Sequence, residues 1–258
     1  MRLALLPFVN SAPYFHNLDR DWLKRQEVHS HPPRALGQLG REGKVDAGIF
    51  SLVDSWALER KDLFEPLSSL GISAFGPIAS ILLFGVENPL DLEGQAIAIT
   101  PDTATSSCLL HVWLSQYVGI KKWKPVALGE MSAAALLIGD QALARSLTLS
   151  KVDSPPLDLC QQWSHWTGLP FVFARWCVRK DLPEEEKKEL LSQVEGSLDK
   201  SLADLDGLVE ELFGKTGFPR PFLAKYIQGI RYRLGPEEKK GMDLFKIKLG
   251  KEGDKCPV

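Results

Sequence analysis

Along its first sixty residues the chain switches repeatedly between two hydrophobic periods, and that alternation restricts the fold more than any other feature of the sequence. A short apolar run or a period of two marks a strand, and a period near 3.6 marks a helix. Residues 3–9 read as a buried strand, 14–24 as a helix, 27–32 as a short strand, 34–41 as a helix, 45–51 as a strand and 53–60 as a helix. The order βαβαβα predicts a parallel sheet with helices on both faces. This part of the chain is an α/β lobe.

A second run of the same kind begins after Asn88-Pro89. Residues 95–100 read as a strand, 105–118 as a helix, 125–128 as a short strand, 132–135 as part of a helix and 136–139 as another strand. Between the two runs lies a long extended, apolar stretch, 72–86, and a second one follows at 171–179. Two extended crossings imply that the chain leaves one lobe, builds the other and returns through a paired hinge. The expected division is therefore residues 1–86 plus 175–258 for a discontinuous first lobe and 87–174 for the second. After the return, Leu182-Pro183-Glu184-Glu185-Glu186-Lys187-Lys188 opens a helix. Proline sits near its first turn, acids face the N-terminal dipole, Glu184 and Lys188 are spaced i, i+4, and Asp181 is a candidate cap. The charge-balanced stretch 237–255 likewise reads as a solvated helix face.

With 258 residues the chain is long enough for two small cores without disulfides or a structural metal. Lys plus Arg is 31 against 33 Asp plus Glu, so no bulk field attracts nucleic acid or an anionic membrane. The longest apolar stretch, near residues 78–86, is far short of the ~20 residues that cross a bilayer. The opening residues 1–10 carry Pro7 within the apolar run and a poor cleavage site after it. They are expected to be a first strand, in a cytoplasmic protein. Cys108, Cys160, Cys177 and Cys256 are scattered with no C-x-x-C spacing and are expected to be reduced thiols. His29 and His31 alternate as on one strand face, but no further ligands lie near them, so no metal is expected.

In open α/β sheets, ligands bind beyond the carboxyl ends of strands, where loops run into helix N-termini. The polar residues at those places are Asn10, Ser11, Ser51, Ser80 in the first crossing, Thr103, Thr105, Ser106 and, after Gly139, Asp140. This set is nearly free of charge. Hydroxyls, a carboxamide and helix N-termini suit an anion such as a carboxylate. Plainer roles exist for each: Thr103–Ser107 can cap the following helix, Asp140 can serve a turn or cap, and Asn10 can close a turn. There is no G-x-S-x-G, P-loop or G-x-G-x-x-G, so acyl transfer, nucleotide hydrolysis and nicotinamide chemistry have no handle.

Five strings occur in a fixed order: Val9-Asn10-Ser11-Ala12-Pro13; Gly76-Pro77-Ile78-Ala79-Ser80; Thr103-Ala104-Thr105-Ser106; Leu137-Ile138-Gly139-Asp140-Gln141-Ala142-Leu143; and Trp163 to Trp176 with Thr167-Gly168-Leu169-Pro170-Phe171-Val172-Phe173-Ala174 at its heart. Lys225-Tyr226 and Tyr232-Arg233-Leu234-Gly235 follow. From about residue 3 to Gly235 the chain resembles the chorismate dehydratases that open the futalosine route to menaquinone. It is similar more distantly to the dihydroxynaphthoate synthases that act later in that route. The resemblance implies an α/β, two-lobed, type II periplasmic-binding-protein-like fold with a cleft between lobes. It implies a hydro-lyase that removes water from chorismate to give 3-[(1-carboxyvinyl)oxy]benzoate, with no cofactor or metal. Asn10 and Ser80 carry over as catalytic positions, and Thr103, Thr105 and Ser106 as carboxylate binders. Ser11, Ser51, Gly139 and Asp140 complete the expected substrate-binding set. Thr103 stands where serine is common, which keeps the hydroxyl, and Cys160 stands where glycine is usual.

Removing the ring hydrogen beside the enolpyruvyl ether, together with the ring hydroxyl, makes chorismate aromatic. The enzyme then mainly has to orient its substrate. Asn10 and Ser80 are hydrogen-bonding groups rather than bases. The expectation is that a substrate carboxylate takes the proton, with Asp140 as the alternative base. The expected partner is the small-molecule substrate, with no nucleic acid or membrane and with room for a homodimer. A non-catalytic small-anion binding protein of the same fold, and the later dihydroxynaphthoate synthase, are the rival readings.

Overall fold

The computed structural model describes residues 1–150 and 154–250. In chain order its elements are β1 (Arg2–Leu5), a 3-10 turn (Val9–Tyr14), α1 (Arg20–Lys24), β2 (Glu27–Ser30), α2 (Pro33–Arg41), β3 (Ala47–Ser51), α3 (Leu52–Arg60), β4 (Phe64–Ala74), β5 (Ile81–Phe84), β6 (Ala96–Ile99), α4 (Thr105–Trp113), β7 (Lys124–Ala127), β8 (Ala134–Ile138), α5 (Gly139–Leu147), β9 (Leu157–Asp158), α6 (Leu159–Thr167), β10 (Phe171–Arg179), α7 (Glu184–Ala203), α8 (Leu205–Thr216), α9 (Arg220–Gln228), β11 (Arg231–Arg233) and α10 (Pro236–Gly250). They cluster into two compact units. One holds Met1–Ile72 and Ala174–Leu234, and the other holds Ser73–Phe173 and the chain from Gly235 onward.

In the first unit the sheet runs β11-β4-β10-β3-β1-β2. β1 is parallel to β2 and to β3, as the βαβ pattern requires. β10 is antiparallel to β3, with Trp176 opposite Ile49, so the returning strand makes the sheet mixed rather than wholly parallel. β3 is buried along its whole length, which explains its unbroken apolar reading. Gly48 is there because β1 comes close: a Cβ would stand 2.2 Å from the Ala4 carbonyl oxygen. The expected helix over 14–24 is shorter, because Asp19 accepts from the Trp22 amide and starts α1 only at Arg20. Likewise Asp181 does not cap α7, whose N-cap is Pro183; the Asp181 carboxylate pairs with Arg179.

Tyr14 pins the turn that follows β1. Its hydroxyl lies 2.6 Å from the Gly71 carbonyl and 2.7 Å from that of Tyr232, and it accepts from the Gly71 amide at 3.0 Å. One phenol thus joins the turn to β4 and β11. Its ring is fully buried, with edge contacts to Trp176 and Tyr232.

In the second unit the order is β7-β6-β8-β5-β9. β6 is parallel to β7 and β8, and β5 is antiparallel to β8 and β9. The alanine-rich start of β8, expected as helix over 132–135, is extended because it pairs with β6 and β5 at once. Residues 73–86 and the C-terminal stretch, both expected with the first lobe, belong to this unit. β5 pairs with β8, and α10 packs Phe245 edge-on against Trp163 and Phe171. Gly241 lets α10 approach: a Cβ there would lie 2.3 Å from the Pro170 carbonyl oxygen.

Cys160 and Cys177 are free, buried thiols. Burial pushes the Cys177 thiol up to about 12, so it is no thiolate nucleophile at neutral pH. Cys108 is disulfide-bonded, which corrects the expectation of a reduced thiol there. Cys256 and the end of the 237–255 stretch lie outside the described residues. No helix among the described residues is long and apolar enough to cross a membrane.

Tyr14→Phe should lower stability by about 2 kcal/mol or more, because a buried network loses its hydroxyl while the backbone partners stay buried. Urea unfolding of the two proteins, compared at equal m-values, checks this.

Candidate active site

Three of the expected residues follow β1 or end β3, Asn10 and Ser11 in the turn Val9–Tyr14 and Ser51 as the last residue of β3, and of these Asn10 has a buried atom without a partner. Ser11 is fully buried, with its hydroxyl 2.7 Å from the Leu6 carbonyl and 2.8 Å from that of Phe8. It closes the turn. Ser51 caps α3: its oxygen accepts from the Asp54 amide at 3.2 Å and its hydroxyl donates to the Asp54 carboxylate at 2.8 Å. That carboxylate is also held by Arg41 at 2.5 Å and fits against Gly37, where any Cβ would collide with it. Asn10, one residue before Ser11 in the same turn, is half-buried, and its Oδ1 is enclosed with no partner. A buried unpaired carboxamide oxygen is costly, and an orphan at a strand end points to a ligand donor.

In the second unit, strand register brings the remaining positions to one edge of the sheet. Ile81 pairs with Ile138, which sets Ser80 beside Gly139, and the Gly139 amide donates to the Ser80 carbonyl at 2.8 Å. β6 ends next to β8, with the Thr100 amide donating to the Leu136 carbonyl, so the segment from Thr100 into α4 leaves from the same edge. Ser80 is buried, and its hydroxyl has no hydrogen bond among the described residues.

Two helices begin at this edge, and neither has a side-chain cap. The N-cap of α4 is Ala104 and that of α5 is Ile138. The Thr103–Ser107 cluster therefore does not serve the capping role that its composition allows. Thr103 is 3 % exposed, and its Oγ1 has no partner; Thr105 and Ser106, in the first turn of α4, are buried beside it. Uncapped N-termini with an orphan hydroxyl favour an anion. Gly139 takes a φ of +54° as the chain leaves β8, and Asp140, the single charged residue of the expected set, stands in the first turn of α5.

One residue of this edge was not among the expected ones. Asp158, at the end of β9, accepts from the amides of Ile78 and Ala79 at 2.7 and 2.6 Å, and from those of Cys160 and Gln161 at 2.9 and 3.1 Å. Its sequence signal is an acid immediately before the helix that opens at Leu159. Among the described residues, no group of three or more His, Cys, Asp or Glu is placed to hold a metal.

A family model described as menaquinone biosynthesis matches residues 1–250. The chain belongs to that family. A chorismate dehydratase of Thermus thermophilus is 28% identical in an alignment 266 positions long that covers 96% of this chain and 94% of that protein. One from Campylobacter jejuni is 30% identical over 174 residues, covering 67% of this chain and 60% of the relative. Among solved structures, an Archaeoglobus fulgidus protein superposes with a TM-score of 0.78 at 18% identity, covering 98% of this chain and 97% of that one. The alkanesulfonate-binding protein of Xanthomonas axonopodis pv. citri, bound to MOPS, gives 0.66 at 16% identity, with 96% and 92% covered. The fold is thus periplasmic-binding-protein-like, as the family resemblance implied.

Ser51→Ala should cost about 1 to 2 kcal/mol, the usual worth of a helix cap, while leaving substrate turnover at the wild-type level. Urea titration together with steady-state kinetics on the same preparation checks both halves.

Proposed function

We propose that the chain is a chorismate dehydratase, a hydro-lyase that converts chorismate to 3-[(1-carboxyvinyl)oxy]benzoate and water. The observation that carries this reading is likeness along nearly the whole length, 96% of the chain, to a protein of that name, together with the chain's own membership of a menaquinone-biosynthesis family. The unpaired polar groups support it, since they are neutral hydrogen-bonding atoms and helix N-termini suited to a small dianion.

The reaction breaks the C–H bond at the ring carbon bearing the enolpyruvyl ether. The freed electron pair becomes ring π density, and the hydroxyl on the adjacent carbon leaves with its own bonding pair. The departing hydroxide takes up a proton, and the ring is aromatic. Because aromatisation supplies the driving force, the protein's task is to hold one conformer and discourage rival rearrangements. In this scheme Asn10 and Ser80 are the orienting groups: the Asn10 carboxamide oxygen accepts from the ring hydroxyl, and the Ser80 hydroxyl donates to the substrate. Thr103, Thr105, Ser106 and the amides opening α4 take a carboxylate. The proton passes to a carboxylate of the substrate itself. Asp140 contributes to binding near Gly139.

Incubation of the purified protein with chorismate should yield an aromatic product lighter by one water. Asn10→Ala and Ser80→Ala should each lower kcat by about a hundredfold or more, the scale set by losing orientation or a transition-state hydrogen bond. Full kcat in both variants with none in Asp140→Asn would make Asp140 the base and contradict the substrate-assisted scheme. Binding of chorismate without product would favour a non-catalytic binding protein, and turnover of cyclic dehypoxanthine futalosine instead would favour the later synthase.

A further inference from the structure

We propose that Asp158 is a positioning residue that holds the Ser80 turn in its working shape; the proposal rests on the role given to Ser80 above. Asp158 is 6 % exposed, and its carboxylate accepts four backbone N–H groups from two segments about eighty residues apart. Oδ1 takes the first amides of α6, the ordinary work of an N-cap. Capping needs one oxygen, so serine, threonine or asparagine would serve as well. The second oxygen is what only a carboxylate supplies, and it takes the amides of Ile78 and Ala79 together. Ala79 has a φ of +62°, the left-handed region that a residue with a Cβ avoids unless its surroundings hold it there.

The rest of the loop is secured independently. The Gly76 amide donates to Ser164 Oγ at 2.9 Å, and the Ser80 carbonyl accepts from Gly139. Loss of the second oxygen would therefore release the turn at 78–79, immediately before Ser80, and leave the ends of the loop attached. Burial works against the charged carboxylate and raises its pKa, with the four amides opposing it. A buried charge kept at that cost, where a neutral cap would do, indicates a use for both oxygens.

The test compares Asp158→Asn and Asp158→Ser in the full chain with wild type. Asparagine sets an NH2 group against one pair of amides, and serine retains a cap for α6 but has no atom for the loop. The serine variant keeps the experiment readable if the asparagine variant fails to fold. Expected results are a fall in kcat of tenfold or more with KM within about twofold, and faster amide hydrogen exchange at Ile78 and Ala79 with Cys160 and Gln161 still protected in Asp158→Ser. In a Ser80→Ala background the same substitution should lower kcat by less than twofold further. Ala79→Gly, which makes the left-handed turn inexpensive, should restore part of the lost kcat. A full, additive loss in the Ser80→Ala background, or unchanged exchange at 78 and 79, would overturn the proposal. A wild-type chain that leaves chorismate untouched would overturn the dehydratase reading, and the exchange measurement would then decide the clamp by itself.

Discussion

A buried hydroxyl, carboxamide or carboxylate costs free energy unless something bonds it, and in this chain that requirement separates the groups near the strand ends that the protein bonds from those it leaves unbonded. Ser11 and Ser51 spend their hydroxyls on carbonyls, an amide and a carboxylate of the protein. Asn10 Oδ1 and Thr103 Oγ1 are enclosed with nothing to bond. Tyr14 and Asp158 stand at the other extreme, each serving several backbone groups, and each fixes a loop that carries one of the expected catalytic positions. The turns that carry Asn10 and Ser80 hold their shape because Tyr14 and Asp158 secure them.

Much of the fold was legible because local signals and global topology agree. The apolar runs of β1 and β3 and the amphipathic stretch of α2 declare a βαβ lobe, and residues 171–179 were expected extended over the same residues as β10. Two failures have clear causes. Ala134–Ile138 carries a helix former at its start, but pairing on both sides outweighs propensity. The C-terminal helix reads as a solvated face because its charges dominate, while its buried stripe, Glu238, Gly241, Phe245 and Leu249, includes an acid and a glycine and so is only half apolar.

In the sequence the candidate site reads as positions rather than as roles. Loop placement after strands picked out Asn10, Ser80 and the start of α4 without any charge to mark them. It also picked out Ser11 and Ser51, because sequence does not say whether a hydroxyl faces a ligand or a neighbouring carbonyl. Asp158 is not marked by loop placement, because the amides of Ile78 and Ala79 that it accepts are distant in sequence and are brought near by the pairing of β5 with β9.

The most direct measurement is the rise in unfolding temperature caused by saturating 3-[(1-carboxyvinyl)oxy]benzoate in wild type, Asn10→Ala, Thr103→Val and Ser11→Ala. A hundredfold excess over Kd stabilises by about 2.7 kcal/mol, or roughly 5 to 11 °C for a chain of this size. Asn10→Ala and Thr103→Val should keep the ligand-free midpoint and lose most of that rise, whereas Ser11→Ala should lower the midpoint and keep the rise. The opposite pattern, with Ser11→Ala losing the ligand response and the two orphan positions retaining it, would contradict the account.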